Sequence, residues 1–93
     1  LLEAERYPEA VEAYRGALMH DSGHFPSLCN LGIALAEMDV TSEAIEVYRT
    51  ALRIRPDHAN LHSNLGRALA REGRIPEAIA EFWRVRTGLR AGR

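Results

Sequence analysis

Two asparagines occupy the same short context, since Asn30-Leu31-Gly32 recurs as Asn64-Leu65-Gly66, 34 residues further on. A carboxamide offers both hydrogen-bond donors and an acceptor. Repeated Leu and Gly are explained by packing, whereas a polar residue repeated in register is expected to act outside the core. The Asn pair is therefore the leading candidate for recognition chemistry.

Metal binding and nucleophilic catalysis are the alternatives to weigh against it. His58 and His62 lie four residues apart with Asp57 beside them, but no third ligand follows at a useful spacing, and structural roles for both imidazoles are favoured. Cys29 has no His or basic neighbour in sequence to lower its pKa, so we expect a small buried or groove-edge thiol. No Gly-rich phosphate loop or nucleophile elbow occurs. We predict no catalytic residue, no metal site, no cofactor and no enzymatic activity.

Composition narrows the class of protein further. The 93 residues amount to one small domain, residues 1–93, and the start within an apparent helix predicts a fragment of a longer chain. The formal net charge of −1 argues against a nucleic-acid partner, and no apolar run is long enough for a bilayer, so no membrane contact is predicted. A single cysteine excludes an internal disulfide framework and favours a reducing compartment such as the cytoplasm.

A shift of 34 residues aligns the chain with itself, with roughly a third of the aligned pairs identical. Residues 1–24 then form a partial repeat that is mainly a second helix, residues 25–58 a complete repeat, and residues 59–93 a complete but degenerating one. Apolar residues in each repeat recur at spacings of three and four, which indicates one buried helical face. The fold class predicted is all-α, an α-solenoid of antiparallel helix hairpins. The predicted first helices span 26–38 and 59–72, and the second helices 8–20, 42–54 and 76–88.

Local signals support these boundaries. Pro8 and Pro76 fall in the first turn of second helices, where no amide partner is lost. In the middle repeat, Thr41-Ser42-Glu43 predicts a hydroxyl cap instead. Gly32 and Gly66 in register indicate a close helix crossing, because a glycine within a helix costs about 1 kcal/mol relative to Ala.

The repeat resembles the tetratricopeptide repeat family over essentially the whole chain. The family pattern W-x2-L-G-x2-Y, A-x3-F, A, P is met in the middle repeat, with Leu28 in place of the Trp, and in the third repeat, with His62 there. The matching residues of the middle repeat are Leu31, Gly32, Leu35, Ala44, Tyr48, Ala51 and Pro56, and those of the third are Leu65, Gly66, Leu69, Ala78 and Phe82. The local sequence is similar to that of superhelical arrays of the O-linked N-acetylglucosamine transferase type.

The resemblance implies a right-handed superhelical stack that binds a partner protein or extended peptide. In such arrays the first helices line a concave groove, and Asn at the position of Asn30 and Asn64 hydrogen-bonds the peptide backbone. The alternative is that both amides bond only a neighbouring helix or water.

Helical spacing extends the predicted peptide-binding surface along both first helices. Arg67 and Arg71 would pair with acidic groups of the ligand, or else form a solvated face. The predicted set comprises Asn30, Glu37, Asn60, Ser63, Asn64, Arg67 and Arg71.

Two other functions remain open in the sequence. Co-chaperone members of the family clamp a carboxylate with Lys, Asn and Arg, but the clamp is incomplete here, since Asn60 and Asn64 stand where those members have Lys and Arg. Self-association is the second, through the array ends at Leu1-Leu2 and at Trp83 with Val85, which would make the chain a homo-oligomer.

Overall fold

The computed structural model describes residues 6–88, which form five α-helices joined by short connections. The helices are α1 (Tyr7–His20), α2 (Phe25–Glu37), α3 (Thr41–Ile54), α4 (Ala59–Arg71) and α5 (Ile75–Arg86). Each helix packs against the next along the chain, and α2 also contacts α4. The all-α solenoid of helical hairpins is confirmed, and every helix lies within two residues of its predicted range.

The core is centred on α2, α3 and α4. These helices bury the apolar stripe that the period predicts, whereas Val11 is the buried residue of α1 and Ala78 that of α5. The buried apolar residues of the three central helices are Leu28, Leu31, Ala34, Leu35, Ala44, Ile45, Tyr48, Ala51, Leu61, Leu65, Ala68 and Leu69. No helix within residues 6–88 is both long enough and apolar enough to cross a membrane.

Each complete hairpin closes on an aromatic ring that rests against a glycine, as the in-register glycines predict. A Cβ added at Gly32 would lie 2.5 Å from Cε1 of Tyr48, and one added at Gly66 would lie 2.6 Å from Cε1 of Phe82. Real Cβ atoms do not approach other atoms so closely, so a side chain at either position would have to displace the ring packed on it.

The connections from α2 to α3 and from α4 to α5 share one backbone design. Asp39 (φ 63°) and Gly73 (φ 77°) adopt the left-handed conformation directly after the helix end. Val40 N–H then donates to the Leu35 carbonyl, as Arg74 N–H does to the equivalent carbonyl of α4, both at 2.9 Å. This is the Schellman arrangement, which satisfies carbonyls at a helix C-terminus and reverses the chain.

The start of α3 differs from the sequence prediction. The predicted hydroxyl cap at Thr41-Ser42-Glu43 is wrong, because α3 begins at Thr41 itself, after Val40, with no side-chain cap. Ser42 instead donates from its hydroxyl to the Glu72 carboxylate of the next hairpin. Pro8 and Pro76 do lie in the first turns of α1 and α5.

Histidines cap the two first helices, a role that the sequence analysis predicted for neither His24 nor His58. Nδ1 of His24 accepts from the Ser27 amide, and Nδ1 of His58 accepts from the Leu61 amide, both at 3.3 Å. An imidazole therefore fills at both helix starts the role that short hydroxyl or carboxyl side chains usually perform.

Candidate functional site

The two first helices, α2 and α4, border a groove that contains two adjoining cavities. The first measures about 180 Å³ and the second about 510 Å³, and both are lined by Ile33, Asn64 and Arg67. The shared residues make the cavities a continuous depression, which we call the first-helix groove. It is concave and of mixed polarity, as binding sites usually are.

Asn64 lies at the centre of this groove. Its Oδ1 accepts a hydrogen bond from Arg67 on the next turn of α4, at 2.5 Å. Asn60 and Ser63 line the larger cavity beside it. The periodicity of α4 thus brings the predicted polar stripe to one surface.

Arg71 lines the groove as predicted for the set, but its guanidinium group is held by α2. It donates to the Ala36 carbonyl at 2.9 Å and lies 3.6 Å from the Asp39 carboxylate, so it joins the C-terminal ends of α4 and α2. It also lines the smaller cavity, together with Glu37 and Tyr48. Arg71 is therefore a fixed wall of the groove, whereas Arg67 projects from its middle.

Asn30 is not brought to the same cavities as Asn64. It is exposed on α2 and lines neither cavity, whereas Cys29 and Ile33 of the same helix do line the groove. The groove runs between the side of α2 that carries Cys29 and Ile33 and the side of α4 that carries Asn64 and Arg67. The equivalent pair Ile33 and Arg67 lines this groove from both helices, whereas of the two asparagines only Asn64 does, so the two amides are not partners in one cavity.

Burial alters the titration of two groups at the groove. Desolvation raises the pKa of the Cys29 thiol, and the positive charge of Arg55 opposes this only in part. Desolvation likewise raises the pKa of Tyr48 to about 12, with Arg67 lowering it to a smaller extent. Both groups are therefore neutral at physiological pH, and the charge of the groove comes from Glu37, Arg67 and Arg71.

The histidines considered as metal ligands take structural positions. His62 is buried, with Nδ1 at 2.5 Å from Glu81 Oε1 and Nε2 at 2.6 Å from the Pro56 carbonyl. Within residues 6–88, no three His, Cys, Asp or Glu residues are grouped so that they could hold a metal ion. The sequence did not predict the pairing of His62 with Glu81, although both residues interrupt an apolar pattern.

Comparison with known proteins gives a family match and structural matches that agree with this geometry. Residues 41–73 match the family model of the TPR (tetratricopeptide) repeat. The solved structure of MamA AMB-1 is similar over 89% of this chain, with 25% sequence identity and a TM-score of 0.85. This chain spans 45% of that protein chain. The search of curated protein sequences found no match to this chain.

The match of residues 41–73 covers α3 and α4, which includes the Asn64-Leu65-Gly66 context and one wall of the groove. The finer similarity to arrays of the O-linked N-acetylglucosamine transferase type stays a prediction. The five helices and their glycine-aromatic contacts form a solenoid of helical hairpins whose fold is similar to that of MamA AMB-1, and residues 41–73 within it match the TPR repeat.

Proposed function

We propose that this array binds an extended peptide segment of a partner protein in the first-helix groove, with Asn64 as the principal contact to the peptide backbone. The observation that carries the proposal is the position of Asn64 in both cavities of the groove. Arg67 occupies its Oδ1, so the N–H groups of the carboxamide are available to donate to a peptide carbonyl. Contact with backbone groups suits a ligand whose side chains vary.

The groove also supports a preference for ligands with acidic side chains. Arg67 is exposed and hydrogen-bonded to an uncharged amide, so an incoming carboxylate does not compete with an existing ion pair. Ile33, 43% exposed, offers an apolar contact beside it. Asn30 lies on α2 outside the groove, where it would contact the same extended peptide further along its length. The two asparagines would then be successive contacts to one ligand.

Peptide-array binding with Asn64→Ala, Asn30→Ala and the double variant tests this function. Loss of one backbone hydrogen bond is worth about 0.5–1.5 kcal/mol, so we expect Asn64→Ala to weaken binding roughly 2- to 10-fold for all bound peptides alike. Asn30→Ala should have the smaller effect. Arg15→Ala, on α1 and remote from the groove, is the control. Binding that is unchanged in the double variant would contradict the proposal.

Self-association is a second candidate, favoured by the exposed apolar side chains of α5. Ile79 is 60% exposed, Phe82 41% and Trp83 59%. Leu1-Leu2, the other predicted contact, lies outside the described residues. Light scattering of the intact chain distinguishes the two functions, because a concentration-dependent dimer disrupted by Ile79→Glu would assign the interaction to α5.

A further inference from the structure

A cleft of about 410 Å³ lies on the opposite side of α4 from the first-helix groove, between the second helices α3 and α5. Three arginines line it: Arg49 and Arg53 on α3, and Arg84 on α5. We call it the arginine cleft. It has no residue in common with the first-helix groove, so a ligand in one does not occupy the other.

The positive charge of the arginine cleft is only partly balanced. Arg49 lies 3.4 Å from the Glu77 carboxylate, and Arg84 lies 3.9 Å from Oε2 of Glu81, both longer than a good charged hydrogen bond. Arg53 donates to the hydroxyl of Thr50, which carries no charge. Among residues 6–88, Glu81 is the one carboxylate that lines the cleft. Three guanidinium groups thus face a single carboxylate.

That carboxylate is itself held by a buried histidine. Oε1 of Glu81 lies 2.5 Å from Nδ1 of His62, whose other ring nitrogen lies 2.6 Å from the Pro56 carbonyl. The imidazole side chain is 8% exposed and the Glu81 side chain 17% exposed. The pair fixes the carboxylate at the base of the cleft, and the more exposed guanidinium groups lie nearer to solvent.

The preceding repeat indicates that packing does not require this polar set. Moving back 34 residues replaces Arg53 by Met19, Arg84 by Thr50, Glu81 by Val47 and His62 by Leu28. Only Arg49 has a basic counterpart, Arg15, which is tightly paired with Glu43 at 2.6 Å. The same helix junction is therefore built once with largely apolar residues and once with a cluster of charges, which points to a ligand at the second junction.

We propose that the arginine cleft binds a phosphotyrosine side chain of a partner protein, a site separate from the peptide groove. Guanidinium groups match phosphate oxygens with paired N–H donors, and three of them exceed what one carboxylate needs. Leu52 and Pro56 line the same cleft and supply an apolar surface for the aromatic ring.

Fluorescence anisotropy with three probes tests this site: a labelled phosphotyrosine peptide, the same peptide without phosphate, and phenyl phosphate as a competitor. The variant is Arg53→Met/Arg84→Thr, which installs the residues that the chain itself carries one repeat earlier. We expect phosphate-dependent binding that falls at least tenfold in the variant and weakens with added salt. Arg15→Ala is the control and should leave this binding within about twofold. Asn64→Ala is compared with the double variant to distinguish this site from the first-helix groove. Circular dichroism verifies that each variant keeps its helices.

Three results would overturn the site. The first is equal affinity for the phosphorylated and unphosphorylated peptides. The second is a loss caused by Asn64→Ala but not by Arg53→Met/Arg84→Thr, which would assign the peptide to the first-helix groove. The third is phenyl phosphate binding as tightly as the phosphopeptide, which would identify a small phosphate ester as the ligand instead of a partner protein.

Discussion

Gly32 and Gly66 hold equivalent places in α2 and α4, but the rings packed on them differ in freedom to move. Tyr48 against Gly32 is 2% exposed, whereas Phe82 against Gly66 is 41% exposed. We predict that Gly32→Ala lowers the free energy of unfolding by about 1–3 kcal/mol, because the buried ring cannot move aside. Gly66→Ala should be nearly neutral, since the exposed ring can rotate and the helix gains about 1 kcal/mol of propensity.

Urea unfolding of the two single variants measures this difference. The pair is its own control, because both variants add one methyl at the same register of the repeat. Equal losses of stability would contradict the interpretation that ring burial decides the outcome.

Tyr48 provides a pH-dependent prediction at the same scale. Its pKa is about 12 in the folded chain because burial disfavours the phenolate, whereas an unfolded tyrosine titrates near about 10. The raised value means that the unfolded state releases its proton first. Stability from this group is therefore complete below pH of about 10 and is lost as pH rises towards about 12.

Ultraviolet phenolate absorbance and urea unfolding between those pH values check the prediction. The titration component with the pKa of about 12 should disappear in Tyr48→Phe, and the variant should lose less stability than the parent chain over the same range. A parent and variant with identical pH dependence would show that Tyr48 is not responsible.

At the scale of the element, the reversal after each first helix depends on one residue with positive φ. Gly73 adopts φ 77°, a conformation that costs an L-residue roughly 1–2 kcal/mol. We predict that Gly73→Ala destabilises the chain by about 1 kcal/mol, measured by thermal unfolding. Gly16→Ala within α1, where an added Cβ has open space, is the matched control and should stabilise instead. A stabilising Gly73→Ala would contradict the strained turn.

The helices and their buried faces could be predicted from the sequence, because apolar residues recur at spacings of three and four within each helix and at 34 residues between repeats. The cap of α3 was predicted wrongly, since Thr41 enters the helix and Ser42 donates to Glu72, 30 residues away. A local signal cannot anticipate a partner that only the tertiary fold supplies. Asn30 and Asn64 illustrate the same limit, because equal register did not reveal that Asn64 lines the groove whereas Asn30 does not.

The arginine cleft lay beyond sequence analysis for the same reason. Arg53 and Arg84 are 31 positions apart and meet only because α3 and α5 flank α4. The available signal was the departure of His62 and Glu81 from the repeat pattern, which indicates that something differs there without indicating what lies opposite.

At the scale of the whole molecule, stability is distributed unevenly along the array. Most contacts join consecutive helices, and the buried core belongs mainly to α2, α3 and α4. We predict that amide hydrogen exchange is slowest in these three helices and fastest in α1 and α5, since repeat arrays open locally from weakly packed elements. Hydrogen exchange followed by mass spectrometry measures this order. Uniform protection of all five helices would indicate a single cooperative unit instead.

The outward face of α5 offers a surface on which one more helix could pack and so lengthen the array. Ile79 and Phe82 stand in register with Ile45 and Tyr48, which are 1% and 2% exposed beneath the following helix, but they are 60% and 41% exposed themselves. A copy of α4 and its connection, grafted after residue 88 in the same register, would meet a surface already shaped for it. The chain can thus serve as a building block for longer arrays. Each further pair of helices with its connections would add one 34-residue repeat.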